Sequence, residues 1–469
     1  MYKKGIFIFH RDLRLEDNNA LYQALEQCEQ VLPIFIFTPM QVSKKNKYKS
    51  DSAIAYMIAC LQELDEHLKK YKSRLFCFYG DEQSIVTSLF KKYAPDVIFC
   101  NKDYTPYAIK RDKALSTLCV SHDVVFEQRE DALLFPVEYI KNAEENPYTV
   151  FTFFKNKAMK YIREIPRPKT IVYKNAFSYT CPDKAHFLIT KITTYVEYTP
   201  LKTPLLQGGR AEAKRLLRAS HFKTLKNYER DRNDPSKSTS HLSAVVKFLP
   251  VSIREVLWSI VDALGVGHPL VTQLLWRDFF YMIAYHFPEV FNESFNKKYK
   301  NIHKEWQLDK GNVLFEKWAK GKTGFPFVDA GMRELNATGW MHNRLRMVTA
   351  QFLCKDLLLD WRKGERYFAQ KLIDYDPCVN NGNWQWNAGV GADPEKYGKP
   401  RIFNPWLQSK KFDPDARYIK KWIPELQNVP AAHIHAWDKK YVLYTQDYPA
   451  PLVDHAQQRN IFLKLFNNY

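Results

Sequence analysis

Two hydrophobic periods alternate over the first 130 residues, and only one of them continues afterwards. Apolar runs rich in Val, Ile and Phe lie at 5–9, 31–37, 74–78, 96–100 and 123–127. Helix-spaced patterns fill 18–28, 52–70, 83–93 and 106–118 between them. Strands alternating with helices predict βαβ units and a parallel sheet. The runs lack polar alternation, which suits strands buried on both faces. Residues 1–130 are therefore expected to form a Rossmann-like α/β domain with a parallel sheet. Residues 131–205 hold scattered prolines and a basic stretch of Lys155, Lys157, Lys160, Arg163, Arg167 and Lys169 beside a single acid, Glu164. This segment reads as a long, partly helical linker whose basic stretch is solvated surface. From 206 to 469 the strand signal fades. Segments 263–287, 326–339 and 340–362 read as helices, the last as one element beginning at Trp340. The third region is expected to be a mainly α-helical domain.

The 469 residues fit two or three domains. The formal charge of +19 and pI near 9.3 are spread along the chain and admit a polyanionic partner or a generally basic proteome. Eight cysteines at 28, 60, 77, 100, 119, 181, 354 and 378 form no CxxC pair, so reduced thiols of an intracellular, cytoplasmic protein are expected. The apolar stretch before His10 and Arg11 is too short for a signal peptide, and no run approaches the length of a membrane span. A membrane partner is not expected, and the chain reads as a monomer.

Several motifs carry no function on this reading. No GxGxxG follows the first strand. Gly321-Lys322-Thr323 mimics the end of a phosphate loop, but Glu316 occupies the place of its first glycine. His433 and His435 lack Cys or carboxylate neighbours at ligand spacing, so no metal is expected.

The informative region is 270–410. Trp340-Met341-His342-Asn343-Arg344-Leu345-Arg346-Met347 puts 343 and 347 on one helical face, with 340 and 344 close by. Asn and two Arg on an apolar helix are odd for plain core, since Arg is rarely buried without a partner. Asp374 and Asp376 offer carboxylates, and Asn380-Asn381-Gly382-Asn383-Trp384-Gln385-Trp386 sets small polar residues beside two indoles. Each feature alone is compatible with ordinary packing.

Together they resemble the photolyase/cryptochrome family, and most closely its class I cyclobutane pyrimidine dimer (CPD) photolyases. The matching segments, in order, are His10-Arg11-Asp12-Leu13-Arg14 with Asp17-Asn18, Thr239–Ser243, Trp276–Phe280, Lys322–Pro326, Trp340–Met347, Asp374–Trp386 and Arg401–Pro405. The resemblance implies a helical domain that holds FAD. Tyr228 and Thr239, Ser240, His241, Leu242 and Ser243 would take its phosphates. Arg346, Asp374, Tyr375 and Asp376 would lie along the cofactor, with Asn380 facing flavin N5. It further implies light-driven repair of dimers in UV-damaged DNA, with Trp306, Trp361 and Trp384 relaying electrons to oxidised flavin. Trp276 and Trp386 would wall a flipped-out lesion. Asn343, Arg344, Met347 and Gln273 would contact it, and Arg232, Arg277 and Gln408 would lie at the DNA backbone.

Two positions depart from the pattern. CPD photolyases usually have glutamate where this chain has Gln273, and glutamine there is more like (6-4) photolyases and animal cryptochromes. Those proteins carry two histidines where Asn343 and Met347 stand, which leaves the CPD lesion favoured. Tyr107-Ala108 replaces the Asn-Glu of folate-binding members, so the second chromophore is open between none, methenyltetrahydrofolate and deazaflavin. A light-signalling cryptochrome and a nucleotide-binding protein built on the α/β domain alone are the rival readings.

Overall fold

The computed structural model describes residues 1–170, 176–302, 312–392, 395–396, 399–444 and 447–468. The chain divides into two compact units, one of residues 1–200, 206–226 and 240–286, the other of 201–205, 227–239 and 287–469.

The first unit is built on a six-stranded sheet. Its strands are β1 (Tyr2–Phe9), β2 (Cys28–Phe37), β3 (Phe76–Tyr79), β4 (Val97–Asn101), β5 (Val125–Arg129) and β6 (Phe187–Leu188), in the order β5-β4-β1-β2-β3-β6. The first five are mutually parallel, as the unalternated apolar runs predict, and β6 pairs antiparallel with β3. Helices start where a side chain caps them: Asn18, Ser50, Asp81 and Thr105 each accept the backbone N–H three residues on. The helix predicted over 18–28 ends at Gln27, and Cys28 already belongs to β2. Strand β6 escapes prediction because two residues carry no period.

Helices Ile253–Leu264 and Pro269–His286, expected in the α-helical domain, lie in the same unit as the sheet. A buried ionic network fixes the first of them there, and Asp278, which accepts from Leu134 and Phe135 N–H, ties in the second. Arg14 Nη2 meets Asp131 at 2.6 Å, and Arg254 reaches Asp131 at 2.9 Å and Asp17 at 2.7 Å. Burial pushes the Asp131 carboxyl upward, but the two guanidiniums outweigh it and hold the group below its ordinary value. Asp12 accepts from Asn18 at 2.8 Å and from Asn101 at 2.5 Å. The strand order reverses between β1 and β4, where open α/β sheets usually bind nucleotides. Here the His10–Arg14 segment and Asn101 are tied into the same buried polar network.

The second unit is helical. Its main helices are Pro326–Thr338, Asn343–Gln351, Trp361–Lys371, Pro377–Ala388, Pro405–Phe412 and His455–Asn467. The single helix predicted over 340–362 is two. His342 caps the first by accepting Arg344 N–H at 3.2 Å, so Trp340 precedes the helix instead of lying on its face. After Gln351 the turn widens, with Leu357 N–H donating to Phe352 O, and Leu358 adopts φ +52°. Asp360 then caps a new helix at Trp361. Apolar periodicity runs through this break because both helices and the turn face the same core. No helix among the described residues is long and apolar enough to cross a membrane.

Candidate functional site

The second unit gathers most of the singled-out polar residues onto helices 343–351, 361–371 and 377–388. Arg346 donates to Asp374 at 2.8 and 3.2 Å and anchors its Nε on Met341 O at 2.8 Å. The forked pair fixes a half-exposed guanidinium against a buried carboxylate. Asp376 caps the helix Pro377–Ala388, accepting from Cys378 and Val379 at 3.1 and 3.2 Å.

Asn380, one turn into that helix, has a determined amide orientation. Its Nδ2 donates to the Glu365 backbone oxygen at 3.1 Å and to Glu365 Oε1 at 2.9 Å. A backbone carbonyl can only accept, so Asn380 Oδ1 must face the other way, as an acceptor. Glu365 is a candidate site residue that the sequence reading missed. Its sole signal is the four-residue offset from Trp361, which puts both on one buried helical face. Burial raises its carboxyl to about 7, against the Asn380 hydrogen bond and Arg366.

Trp384 and Trp361 are both 2% exposed. The Trp384 ring meets Phe368 edge-on at 4.9 Å and Trp318 at 6.2 Å. Gly364 permits this packing, because a Cβ there would lie 2.2 Å from the Trp384 ring. Trp306 lies outside the described residues.

A cationic patch surrounds the remaining candidates of this unit. Arg344 donates to Asn233 at 2.6 Å and lies over Phe412 at 4.4 Å. Burial, then Arg232 and Arg401, pulls its guanidinium down to about 10. Arg401 sits over the Trp386 ring at 4.7 Å. Asn343 donates to Met347 Sδ at 3.8 Å, which confirms that the two share a face. Arg232 Nε, Arg344 Nε, Trp386 Nε1 and Gln408 Oε1 are buried with no hydrogen-bond partner among the described residues. Such orphans cost about 1–3 kcal/mol each unless a ligand satisfies them. Tyr228 and Thr239 belong to this unit, and burial raises the Tyr228 phenol. Tyr375 is half-buried beside Asp374 and Asp376.

In the first unit, His241 adopts φ +51° between Ser240 and the buried Leu242, and Ser240 O meets His221 Nε2 at 3.2 Å. Burial, then His221 and Arg215, lowers the His241 imidazole. Ser243 Oγ is buried without a protein partner. Gln273 and Trp276 are half-buried on the helix Pro269–His286. Trp276 is stacked on Phe151 at 3.5 Å and 11° and on Phe280 at 5.5 Å. Arg277 differs from its expected backbone-contact role: it is 6% exposed, donates to Ala132 O at 2.9 Å and pairs with Asp278 at 3.4 Å. Asp278 in turn accepts from Leu134 and Phe135 N–H. Arg277 thus pins segment 132–135 instead of offering a surface cation.

The discarded motifs have ordinary roles. Thr323 and Gly324 donate to the Asp329 carboxylate, so Gly321-Lys322-Thr323 is a carboxylate-bound turn. His435 bonds Ser409 at 2.7 Å and Pro414 O at 2.9 Å, and His433 bonds Tyr444.

Comparison with known proteins matches residues 6–170 to the family described as DNA photolyase. Residues 270–468 match the FAD binding domain of DNA photolyase. The deoxyribodipyrimidine photo-lyase of Escherichia coli is 34% identical, over 96% of this chain and 96% of its own length. That of Alkalihalophilus pseudofirmus is also 34% identical, over 98% and 96%. The crystal structure of an archaeal photolyase from Sulfolobus tokodaii with two FAD molecules superimposes with a TM-score of 0.87, 39% identity and coverage of 99% of this chain and 100% of that one. A Synechocystis cryptochrome gives a TM-score of 0.84 at 25% identity, covering 99% of each chain.

Proposed function

The chain belongs to the DNA photolyase family and is an FAD-binding enzyme of it, and from that premise we propose that it repairs CPDs by light-driven electron transfer. Bound FAD, reduced and light-excited, would supply the electron-transfer chemistry for opening the cyclobutane ring.

The residues fit that cofactor. Ser243 Oγ is an orphaned hydroxyl suited to a phosphate oxygen. Asn380 Oδ1, oriented by Glu365, accepts from the N–H at flavin N5. The Arg346–Asp374 pair presents a fixed cation and carboxylate along the ring system. Trp384 and Trp361, both screened from water, serve as electron donors to oxidised flavin, with Trp306, outside the described residues, as the third member of the proposed relay.

On the DNA side, a dimer inside a duplex is out of reach and must be flipped out. Trp276 and Trp386 are the aromatic rings proposed to contact it. Burial is the main cause of the depressed Arg344 value, and Arg232 and Arg401 add a repulsion that a phosphate would relieve. Gln273 offers both an acceptor and a donor to a pyrimidine edge without titrating.

The choice of CPD over the (6-4) lesion rests on one observation. The face carrying Asn343 and Met347 has no imidazole. Neighbouring His342 is 1% exposed, with its Nδ1 committed to the Arg344 N–H. Nδ1 accepts there, which leaves the ring proton on Nε2, so it is burial, not that hydrogen bond, that keeps His342 from serving as the proton donor that (6-4) repair requires. Illumination of oligonucleotides bearing either lesion tests this. CPD repair is expected, and exclusive (6-4) repair overturns the assignment. Flavin photoreduction without repair of either lesion would place the chain among the light-signalling cryptochromes.

A second chromophore is also proposed, by extension from the Sulfolobus tokodaii protein with its two FAD molecules. Exposed Tyr79 and Tyr195, 6.2 Å apart, and Tyr107, 3.2 Å from Thr38, offer aromatic surface near the carboxyl ends of β2 and β3. A flat ring system such as a second flavin suits that surface.

A further inference from the structure

The helix Phe151–Tyr161 lies in the stretch that the sequence suggests is a linker with a merely solvated basic face. Phe151, Phe154 and Ala158 form its buried stripe. Phe151 stacks on the Trp276 indole at 3.5 Å, and both Phe151 and Phe154 meet Phe279 at 5.6 Å. The remaining circumference carries Lys155, Lys157 and Lys160, and Arg163 follows in the next turn.

No acid occurs between Phe151 and Arg163, and none of these four cations forms an ion pair among the described residues. Some surface cations of the same unit are neutralised by a neighbouring acid, whereas these four stand together in an acid-free run of thirteen residues. Arg167 pairs with Asp262 at 2.6 Å, Lys44 with Glu197 at 3.1 Å and Lys102 with Glu130 at 2.9 Å. Phe153 is 61% exposed amid the lysines, and an aromatic ring among cations is the surface nucleic acids favour. Lys155 is one turn beyond Phe151, a rise of about 6 Å. The basic face therefore starts within one side-chain length of the ring that stacks on Trp276.

We propose that this helix is a DNA-backbone contact surface: Lys155, Lys157 and Lys160 take the phosphates of the duplex beside the flipped lesion, while Phe151 holds the Trp276 plane. The proposal rests on the lesion-wall role of Trp276. It adds a sequence-independent grip that couples the duplex to that wall through a single aromatic stack.

The test measures binding in the dark as a function of salt. The slope of log K against log salt reflects the number of phosphates neutralised, at about 0.9 per contact. The triple variant Lys155→Ala, Lys157→Ala and Lys160→Ala should be shallower than the native enzyme by about 2.7 on this scale. Between 50 and 200 mM salt that is about 40-fold less loss of affinity, equal for damaged and undamaged duplex. Lys160→Ala alone should lower the slope by about 0.9. A control triple removes equal charge from another exposed face, through Lys45→Ala, Lys110→Ala and Lys113→Ala, and should keep the native slope. A native slope in the Lys155/Lys157/Lys160 variant, or an equal drop in the control, overturns the proposal. Dark binding to undamaged duplex does not depend on repair. A reduced slope in a protein that repairs no CPD would keep this surface and sink the lesion assignment instead.

Discussion

Replacing Glu365 with glutamine isolates one buried carboxyl. In the unfolded chain this group loses its proton near pH 4.5, whereas burial in the fold holds it to about 7. The folded protein thus keeps an extra proton across that window. Its stability contribution is complete below pH 4.5 and is lost as pH rises through 7. At about 1.4 kcal/mol per pH unit, the loss is roughly 3 kcal/mol. Glutamine cannot titrate, and its oxygen still accepts from Asn380 Nδ2. Glu365→Gln should therefore match the native protein near pH 4.5 and exceed it increasingly up to about pH 7.5, with flavin content and CPD repair preserved. Denaturant midpoints of both proteins at half-unit steps from pH 5 to 8 provide the assay. Other buried acids, such as Asp278 and Asp356, both raised to about 6 by burial, cancel in the difference. Parallel curves for the two proteins would refute the burial argument. A loss of bound flavin in Glu365→Gln would show that the charge, not the oriented amide, is what the site needs.

Trp384→Phe or Trp361→Phe should slow photoreduction of oxidised flavin severalfold or more, since phenylalanine keeps packing but resists oxidation; repair by chemically pre-reduced Trp361→Phe should persist, and transient absorption reads both. Arg344→Ala should weaken CPD-DNA binding by roughly 1–3 kcal/mol in a titration while flavin absorbance stays constant, because its partners are Asn233 and Phe412. Gly364→Ala should destabilise the protein by about 1–3 kcal/mol in thermal or denaturant unfolding, since the new Cβ meets the Trp384 ring at 2.2 Å.

The sequence by itself determined what depends on local chemistry. Val/Ile/Phe runs specified five parallel strands, because central strands buried on both faces carry few polar positions; the edge strand β5, with Glu127, Gln128 and Arg129, shows the run only at its start. Cap residues such as Asn18 and Thr105 set helix starts within a residue or two. The motifs from Trp340 to Trp386 identified the family, because the chemistry of a flavin site restricts which side chains can stand there.

Tertiary structure alone decided what depends on distant partners. Periodicity says that helices 253–264 and 269–286 bury a face, but not against what; Arg14, Arg254, Asp131 and Asp278 decided that they join the sheet's unit. Arg277 reads as a free cation until Ala132 and Asp278 are found beside it. The break between Gln351 and Trp361 is invisible because both sides of it face one core. Glu365 looks like any surface glutamate, and only its burial against Asn380 makes it the group that orients that amide. In each case the deciding quantity is desolvation, which depends on residues tens or hundreds of positions away and leaves no periodic trace in the chain.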